Sequence, residues 1–436
     1  MKTIIINAKN AIEEGITHLP LVVAYPAAVL KKEGFFIEVI DLAIENISNQ
    51  ELFAKIRKIN PDVIVINSET TVLQVKNYCH ALELSRNIYK SFPKTYLAMM
   101  GAHVTFKDEE TLKRNKHIDF IIRHEAEYVL LNLLKALKFN KELNGVNGIS
   151  YRKNEEIIRN PDEKPIEELD SLPFPARHLF PIDQYIKKDY ETVVQGSRGC
   201  SNRCYFCHSS AMDRSLRFRN IDNVIREIKE VLNMGFKSIY FADYDFGAKE
   251  ERIIEFCNKV IKEKIKFSWN CNIRADRFKN EKSANKLLSL MKKAGCYRLF
   301  VGFESVSNEI LNNSNKEVSS MQLYKAAEII KNNGVNLHAS FLFGLPGDTE
   351  ETIKATVEFA KKINPQMASF NILTPYVGTP LGDHPEKFGI SISDKYWYEK
   401  TNNLEKNIAG NKNLSAEKLY QLVNKAYSDF LLSNFK

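Results

Sequence analysis

The sequence lacks an apolar run long enough to cross a bilayer. Its longest, Leu19 to Leu30, is broken by Pro20 and Pro26, and a span needs about 20 apolar residues. There is no Walker loop, no nucleophile elbow, no HExxH and no G-x-G-x-x-G after the first strand-like segment, which removes the commonest nucleotide, acyl-transfer and zinc-protease signatures. No short repeat or low-complexity tract is present. Charge of one sign is also scarce. The 62 Lys+Arg and 54 Asp+Glu leave a formal +8 over 436 residues, too diffuse to identify a nucleic-acid binder, so no nucleic-acid partner is expected. Cysteine is sparse and odd in number, seven in all, which argues against a disulfide framework. The opening Met1-Lys2-Thr3-Ile4-Ile5-Ile6-Asn7 turns polar too early for a signal peptide. It reads as a first strand, and a cytoplasmic location is expected.

What is present is an ordinary globular balance, 44% hydrophobic and 27% charged. The length suits two or three domains. In the first part, short apolar, β-branched segments alternate with helical patterns. Strands are expected at Thr3–Asn7, Phe36–Ile40, Val63–Asn67, Tyr96–Met100 and Asp119–Ile122. Helices are expected at Leu21–Lys32, Asn49–Lys58, Val72–Lys90, Glu109–Arg114 and Ala126–Leu137. This βαβ alternation predicts a doubly wound parallel sheet whose ligand lies outside the strand carboxyl ends. The loops to watch there are Ser68-Glu69-Thr70-Thr71 and Gly101-Ala102-His103-Val104-Thr105.

Residues Asn144–Asn160 look like a hairpin. Pro165, Pro173, Pro175 and Pro181 then crowd a stretch that suits neither helix nor central strand and reads as a linker. A second alternation follows, with strands at Thr192–Gln195, Ser238–Ala242, Lys266–Asn270, Arg298–Gly302, Asn336–Leu342 and Ala368–Leu373. Helices fit between them, at Ile221–Met234, Lys249–Lys262, Glu281–Ala294, Met321–Asn332 and Thr349–Ile363. Six βα-like units predict a partial barrel with its site at the strand carboxyl ends. The tail reads as helical from Ser415 to Leu432.

Three cysteines fall together directly after the first strand of this second half. Cys200, Cys204 and Cys207 stand in Gly199-Cys200-Ser201-Asn202-Arg203-Cys204-Tyr205-Phe206-Cys207-His208, a C-x3-C-x2-C spacing. Three thiolates on one loop can ligate three irons of a four-iron cluster and leave the fourth iron open, whereas electron-transfer clusters use four cysteines. The competing reading is a Cys3His zinc site through His208, but His208 adjoins Cys207 and leaves little room for a second ligand pair. Cys271 and Cys296 read as small core residues.

The triad, with an aromatic before its last cysteine and on the loop after barrel strand one, resembles the radical S-adenosylmethionine superfamily. That resemblance implies a [4Fe-4S] cluster on Cys200, Cys204 and Cys207. The open iron of that cluster chelates S-adenosylmethionine, whose reductive cleavage gives a 5′-deoxyadenosyl radical. Later segments agree in order over about 190 residues. Asp243 ends the second strand in what resembles the family's acidic turn. Asn272 and Arg274 follow the third strand, facing ribose and carboxylate by resemblance. Gly302-Phe303-Glu304-Ser305 resembles the turn whose Glu contacts the cofactor, although Glu304 alone also suits a structural carboxylate. Gly344 and Pro346 in Phe343-Gly344-Leu345-Pro346-Gly347-Asp348-Thr349, with Tyr376 in Thr374-Pro375-Tyr376-Val377-Gly378, resemble the last two loops, which pack around adenine.

A second resemblance covers the first domain. Pro20, Ala24-Tyr25-Pro26, Asp41, Pro61-Asp62-Val63, Gly101-Ala102-His103-Val104-Thr105 and Arg123-His124-Glu125-Ala126-Glu127 look like cobalamin-binding domains fused to such barrels. In those proteins the corrin lies between the two domains and often carries a methyl group. The resemblance assigns Ser68, Thr70, Gly101 and His103 to the cobalamin site. Two features depart from the pattern. No Asp-x-His-x-x-Gly exists in the chain, so the usual lower-ligand histidine is missing, and His103 reads as a turn residue as readily as a cobalt ligand. The turns around Gly101 and Arg123 also lose glycines that permit close backbone approach.

The expected architecture is α/β. A Rossmann-like (flavodoxin-like) cobalamin-binding-type domain spans 1–143 and a hairpin and linker 144–185. A partial (β/α)6 radical S-adenosylmethionine core spans 186–390 and a helical tail 391–436. The resemblance implies cobalamin-dependent C-methylation of a small molecule or natural product, with a flavodoxin- or ferredoxin-type reductant. The alternative is a radical cyclisation, rearrangement or oxidation in which the first domain binds no cobalamin. A non-catalytic iron–sulfur electron carrier would need a fourth cysteine near the triad, and none is there. Relatives that transfer methylthio groups carry extra N-terminal cysteines, whereas this chain has only Cys79 before the triad.

Overall fold

The computed structural model describes residues 1–8, 18–68, 74–399 and 408–434. The chain forms two compact units. The first runs from Met1 to Val193 and takes in Tyr398; the second starts at Val194 and takes in the C-terminal residues from 408 onward.

The first unit begins with β1 (Lys2–Asn7), α1 (Leu21–Lys32), β2 (Phe36–Asp41), α2 (Asn49–Ile59), β3 (Val63–Asn67) and α3 (Gln74–Ser91). It continues through β4 (Tyr96–Met100), α4 (Ala102–Phe106), α5 (Asp108–Arg114), β5 (Phe120–Ile122) and α6 (Ala126–Lys138). The hairpin β6 (Ile149–Lys153) and β7 (Glu156–Arg159) and a short α7 (Ile182–Lys187) complete it. Strand order is β2-β1-β3-β4-β5-β6-β7. The first five strands are parallel, and order 2-1-3-4-5 is the flavodoxin-like arrangement with its switch point between β1 and β3. Every residue of β3 is buried, as a central parallel strand requires. The hairpin adds β6 and β7 antiparallel to β5.

At the switch point the strands end in polar residues that bond one another. Asn7 Nδ2 donates to Asp41 Oδ1 at 2.8 Å, and Asn67 Nδ2 donates to Asn7 Oδ1 at 2.9 Å. The Tyr185 hydroxyl of α7 donates to the other Asp41 oxygen.

The boundary falls within β8 (Thr192–Val194), and the second unit continues with a two-residue β9 (Ser197–Arg198), α8 (His208–Met212), a two-residue β10 (Arg217–Phe218), α9 (Ile221–Asn233) and β11 (Ser238–Phe241). Then come α10 (Glu250–Lys262), β12 (Ser268–Asn272), α11 (Glu281–Lys293), β13 (Cys296–Glu304), α12 (Asn308–Asn313) and α13 (Ser320–Asn332). Last are β14 (Asn336–Phe343), α14 (Glu350–Ile363), β15 (Met367–Ile372), α15 (Pro380–Asp383), the pair β16 (Ile390–Ile392) and β17 (Ala409–Asn411), and α16 (Ala416–Asn434). The main sheet runs β8-β11-β12-β13-β14-β15 in chain order without a switch. A sequential parallel order puts every helix on one face and leaves the other concave, which is a partial (β/α)6 barrel.

Burial alternates along the strands. Leu299, Val301 and Phe303 of β13, and Leu337, Ala339 and Phe341 of β14, are fully buried under the helices. The intervening Arg298, Phe300, His338 and Ser340 are half-exposed on the concave side. The third strand, Ser268–Asn272, lies two residues later than the sequence pattern predicts. Asn270 falls in the expected strand and Asn272 just beyond it. In the barrel they alternate with the buried Trp269 and Cys271, and their amides meet the Tyr297 and Tyr240 hydroxyls at 3.3 and 2.6 Å. The open edge at β15 is covered by α16, whose Tyr427 hydroxyl accepts from the Phe370 N–H at 3.0 Å, removing an unpaired edge donor.

One buried ionic network ties the hairpin to the first sheet. The fully buried Arg123 donates from Nε to Asp162 Oδ1 at 2.8 Å and lies 3.5 Å from the buried Asp108 Oδ2. It also donates to Ser150 and to the Asn160 carbonyl. Losing one member of such a network strands the rest. Arg123→Met is expected to cost about 3 kcal/mol, the low end for a broken buried pair because Arg159 still reaches Asp108 at 3.0 Å. Urea unfolding of the full chain with hydrogen exchange read on β5–β7 checks this; unchanged exchange in those strands contradicts it.

Candidate active site

The cysteine loop leaves the carboxyl end of β8, where a barrel places its chemistry. Its root is held by Asp243, just past β11. One Asp243 oxygen accepts from the Gly196 N–H at 2.7 Å and the other from the Ser197 hydroxyl at 2.6 Å. Burial pushes this carboxyl up to about 6, against the pull of those two donors and of Arg252 and Arg219. Gly199 turns the loop with φ +83°, and a Cβ there would sit 2.2 Å from the Ser215 carbonyl oxygen. Cys200 and Cys204 are buried and Cys207 is half-buried; all three are free thiols.

The loop leans on the residues that follow α12. The Tyr205 N–H donates to the Ser314 carbonyl at 3.0 Å. Asn315 Nδ2 donates to the Arg203 carbonyl at 2.8 Å. The neighbouring Asn313 Nδ2 donates to the Pro346 carbonyl at 3.2 Å. Lys316 completes the set with an ion pair to Glu304, Nζ to Oε1 at 2.7 Å, both side chains buried. Four consecutive residues thus connect the thiol loop, the Gly344–Asp348 turn and the end of β13. Asn313 to Lys316 carry no site signal in the sequence. The Asn- and Ser-rich stretch Asn312-Asn313-Ser314-Asn315 reads only as a turn.

Charged and polar groups reach the sulfurs. Arg274 Nη1 lies 3.7 Å from Cys204 Sγ, and Asn202 Nδ2 lies 3.4 Å from Cys200 Sγ. Burial pushes the Cys204 thiol up, with Lys316 and then Arg274 pulling against it. Among the described residues no three His, Cys, Asp or Glu side chains converge as a single metal ion needs. A cubane makes a different demand, because three thiolates then bind three separate iron corners. Three free thiols on one loop, two buried and one half-buried, met by an arginine and an amide, fit that group.

The remaining sequence-nominated residues fall around this loop. Asn272 Nδ2 donates to the Asp243 carbonyl at 3.2 Å. Glu304, at φ +62°, closes a bulge of β13 against β14. Gly344 and Pro346 lie in a turn organised by Asp348, whose Oδ2 accepts from the Gly344 and Leu345 N–H groups at 3.0 and 3.2 Å. The Tyr376 ring meets His208 edge to face at 5.9 Å. Burial holds the His208 imidazole down near 4, so it is neutral at pH 7. The concave face of the sheet carries His338, whose Nε2 is 2.6 Å from Ser369 Oγ and whose ring packs on Phe300 at 4.3 Å.

In the first unit, the Ser68 hydroxyl is turned to the Met100 carbonyl at 2.9 Å. Gly101 adopts φ +128°, a conformation glycine alone takes readily. The stretch after it, expected as a loop, is the short helix α4. His103, on that helix, is buried between Tyr78 and Tyr398, ring centroids 4.1 and 4.4 Å away. Thr70 lies outside the described residues.

Comparison with known proteins agrees with both halves. The Radical SAM superfamily profile matches residues 194–360, and the B12 binding domain profile matches residues 11–134. A protein of Pyrococcus horikoshii named as an uncharacterized methyltransferase is 31% identical over 422 residues, 96% of this chain and 89% of its own. The anaerobic magnesium-protoporphyrin IX monomethyl ester cyclase of Rubrivivax gelatinosus is 30% identical, over 88% of this chain and 68% of its own. Among solved structures, the radical S-adenosylmethionine methyltransferase TsrM from Kitasatospora setae shares the fold. It matches with TM-score 0.76 at 15% identity, over 99% of this chain and 89% of that one.

The buried Asp243 makes a pH prediction. A carboxyl raised from 3.8 to about 6 in the folded state disfavours folding when ionised. Its cost is therefore relieved as pH falls through about 6 and is gone below about 4, a swing of about 3 kcal/mol. Asp243→Asn is expected to flatten that part of the stability profile between pH 4 and 7 in denaturant titrations. An unaltered pH profile would show that Asp243 titrates normally.

Proposed function

The chain belongs to the radical S-adenosylmethionine superfamily, and on that premise we propose that it is a cobalamin-dependent radical methyltransferase acting on carbon in a small polar molecule. The observation that carries this reading is the cysteine triad at the mouth of a partial barrel, in one chain with a match to the B12 binding domain. A methyltransferase-named relative covering nearly the whole chain supports it.

The geometry supports the following roles. Cys200, Cys204 and Cys207 hold the [4Fe-4S] cluster. Once bound, the cofactors supply the reductive cleavage of S-adenosylmethionine, the 5′-deoxyadenosyl radical and the methyl carrier. The chain positions them and keeps water away. Asp243 fixes the root of the thiol loop. Arg274 reaches the Cys204 sulfur, Asn272 bonds the Asp243 carbonyl behind the loop's root, and Glu304 pairs with Lys316. The Asp348-held turn at Gly344 and Pro346, and Tyr376 beside His208, are apolar or neutral and suit an adenine. In the first unit, the uncharged Asn7, Asn67 and Ser68 with the backbone at Gly101 suit an amide-rich corrin. His103, sandwiched by two tyrosines, supports a site without a histidine lower ligand. The concave face presents His338, Ser340, Ser369 and Asn371 as hydrogen-bonding groups beside Phe300 and Arg298, which favours a substrate rich in hydroxyl, carbonyl or amide groups. A second reading has one specific support: the cyclase relative favours a radical ring closure on the same initiating chemistry.

The test is anaerobic purification with iron, sulfide and hydroxocobalamin, then dithionite and S-adenosylmethionine. Cluster and corrin absorption that both survive gel filtration, with 5′-deoxyadenosine formed, are expected. Cluster and 5′-deoxyadenosine without corrin would favour the cyclase-like reading. A cluster unchanged in Cys204→Ala overturns both.

A further inference from the structure

Arg274 reaches Cys204, and Lys316 is joined to Arg274 through its carbonyl. The Arg274 guanidinium is fixed on two edges. Nε donates to Asp276 Oδ1 at 3.0 Å, and Nη2 donates to the Lys316 carbonyl at 2.7 Å. Nη1 is left facing Cys204 Sγ at 3.7 Å. The same segment carries the Lys316 ammonium, buried and 2.7 Å from Glu304 Oε1. Gly302 makes room for that pair, since a Cβ there would lie 2.4 Å from Glu304 Oε1 and 3.0 Å from Lys316 Nζ. Asp276 bonds the guanidinium through Nε and Nη2, which leaves Nη1 toward the sulfur.

We propose that Arg274 and Lys316 are positioning charges that raise the reduction potential of the cluster through its Cys204 ligand, with Glu304 as the opposing charge. This rests on the reading of the three cysteines as cluster ligands. The physical warrant is that N–H groups aimed at a ligand sulfur and nearby positive charge favour the reduced, more negative cluster, while burial disfavours it. The reduction takes one electron from an external low-potential donor. A loop this buried would otherwise hold the cluster at a potential difficult for such a donor to reach. Lys316 is held in place by its buried ion pair to Glu304.

The test is an EPR-monitored redox titration of the reconstituted full chain without S-adenosylmethionine or substrate, at iron content matched to wild type. Arg274→Leu and Lys316→Met are expected to lower the midpoint potential, and Glu304→Gln to raise it. The Lys316→Met/Glu304→Gln double variant should return toward wild type. If Arg274→Leu fails to hold a cluster, Arg274→Lys and the near-isosteric Glu304→Gln carry the comparison. A merely structural role would alter iron content without opposite shifts of sign. Potentials equal to wild type, or all moving one way, overturn the proposal while leaving the enzyme reading intact. Absence of any cluster in wild type overturns both.

Discussion

The turn from Asn313 to Lys316 ties together three parts of the site in the second unit. Each of its four residues makes a different long-range bond: to the Pro346 carbonyl, the Tyr205 N–H, the Arg203 carbonyl and the Glu304 carboxylate. The thiol loop, the Gly344–Asp348 turn and the end of β13 come from distant stretches of chain. Each is short and rich in residues that resist regular structure, so none has a stiff scaffold of its own. One turn bonded to all three fixes their spacing at the cost of little chain. The cost appears in the backbone, where Asn315 and Glu317 take left-handed φ of +52° and +55°. Asparagine tolerates that region better than most residues, and a non-glycine residue there needs support from its surroundings.

The opposite root of the loop uses a different device. Asp243 is buried and carries a raised carboxyl, yet it is retained where a neutral residue would avoid the desolvation penalty. Its two oxygens can accept from two donors at once, Gly196 N–H and Ser197 Oγ, which an apolar side chain cannot do. Asp348 does the same at the Gly344 turn, and burial pushes it also up to about 6. The site thus rests on two buried carboxylates that organise backbone N–H groups, and on one buried ion pair next to the sulfurs. Low local dielectric makes each bond strong and each unpaired group expensive. The arrangement holds only because every partner is present.

Much of this was readable in one dimension. The alternation of strand-like segments and amphipathic helices marked both sheets: in the first, strands buried on both faces are continuous apolar runs, and in the second every other strand residue is apolar. The cysteine spacing marked the loop, because thiols at three and two residues apart have few structural uses. What escaped notice has physical reasons. The third strand runs to Asn272, past the end of its apolar pattern, because the concave barrel face is polar. Lys316 resembles any surface lysine, since nothing in the sequence says that Glu304 lies 2.7 Å away. His103 was nominated for its place on a strand-end loop. Its burial between Tyr78 and Tyr398 depends on a tyrosine 295 positions further along the chain, which no local pattern can reveal.

The tail belongs to the barrel physically. A six-stranded sheet that does not close leaves β15 with an open edge, and an edge beside a radical site is both a solvent path and an aggregation risk. Helix α16 lies against that strand. Gly344 exists partly to admit it, since a Cβ there would meet Leu419 Cδ1 at 2.7 Å. Ahead of the helix, Asn411 donates to the Leu345 and Asp348 carbonyls at 3.1 and 3.0 Å, and Asn413 to the Gly347 and Asp348 carbonyls at 3.3 and 3.1 Å. Asp348 holds the N–H side of that turn and the tail holds its carbonyl side. A turn bonded on both sides has little freedom to adapt to ligand. Variation in what the enzyme accepts therefore has to come from the concave strand faces and not from this loop.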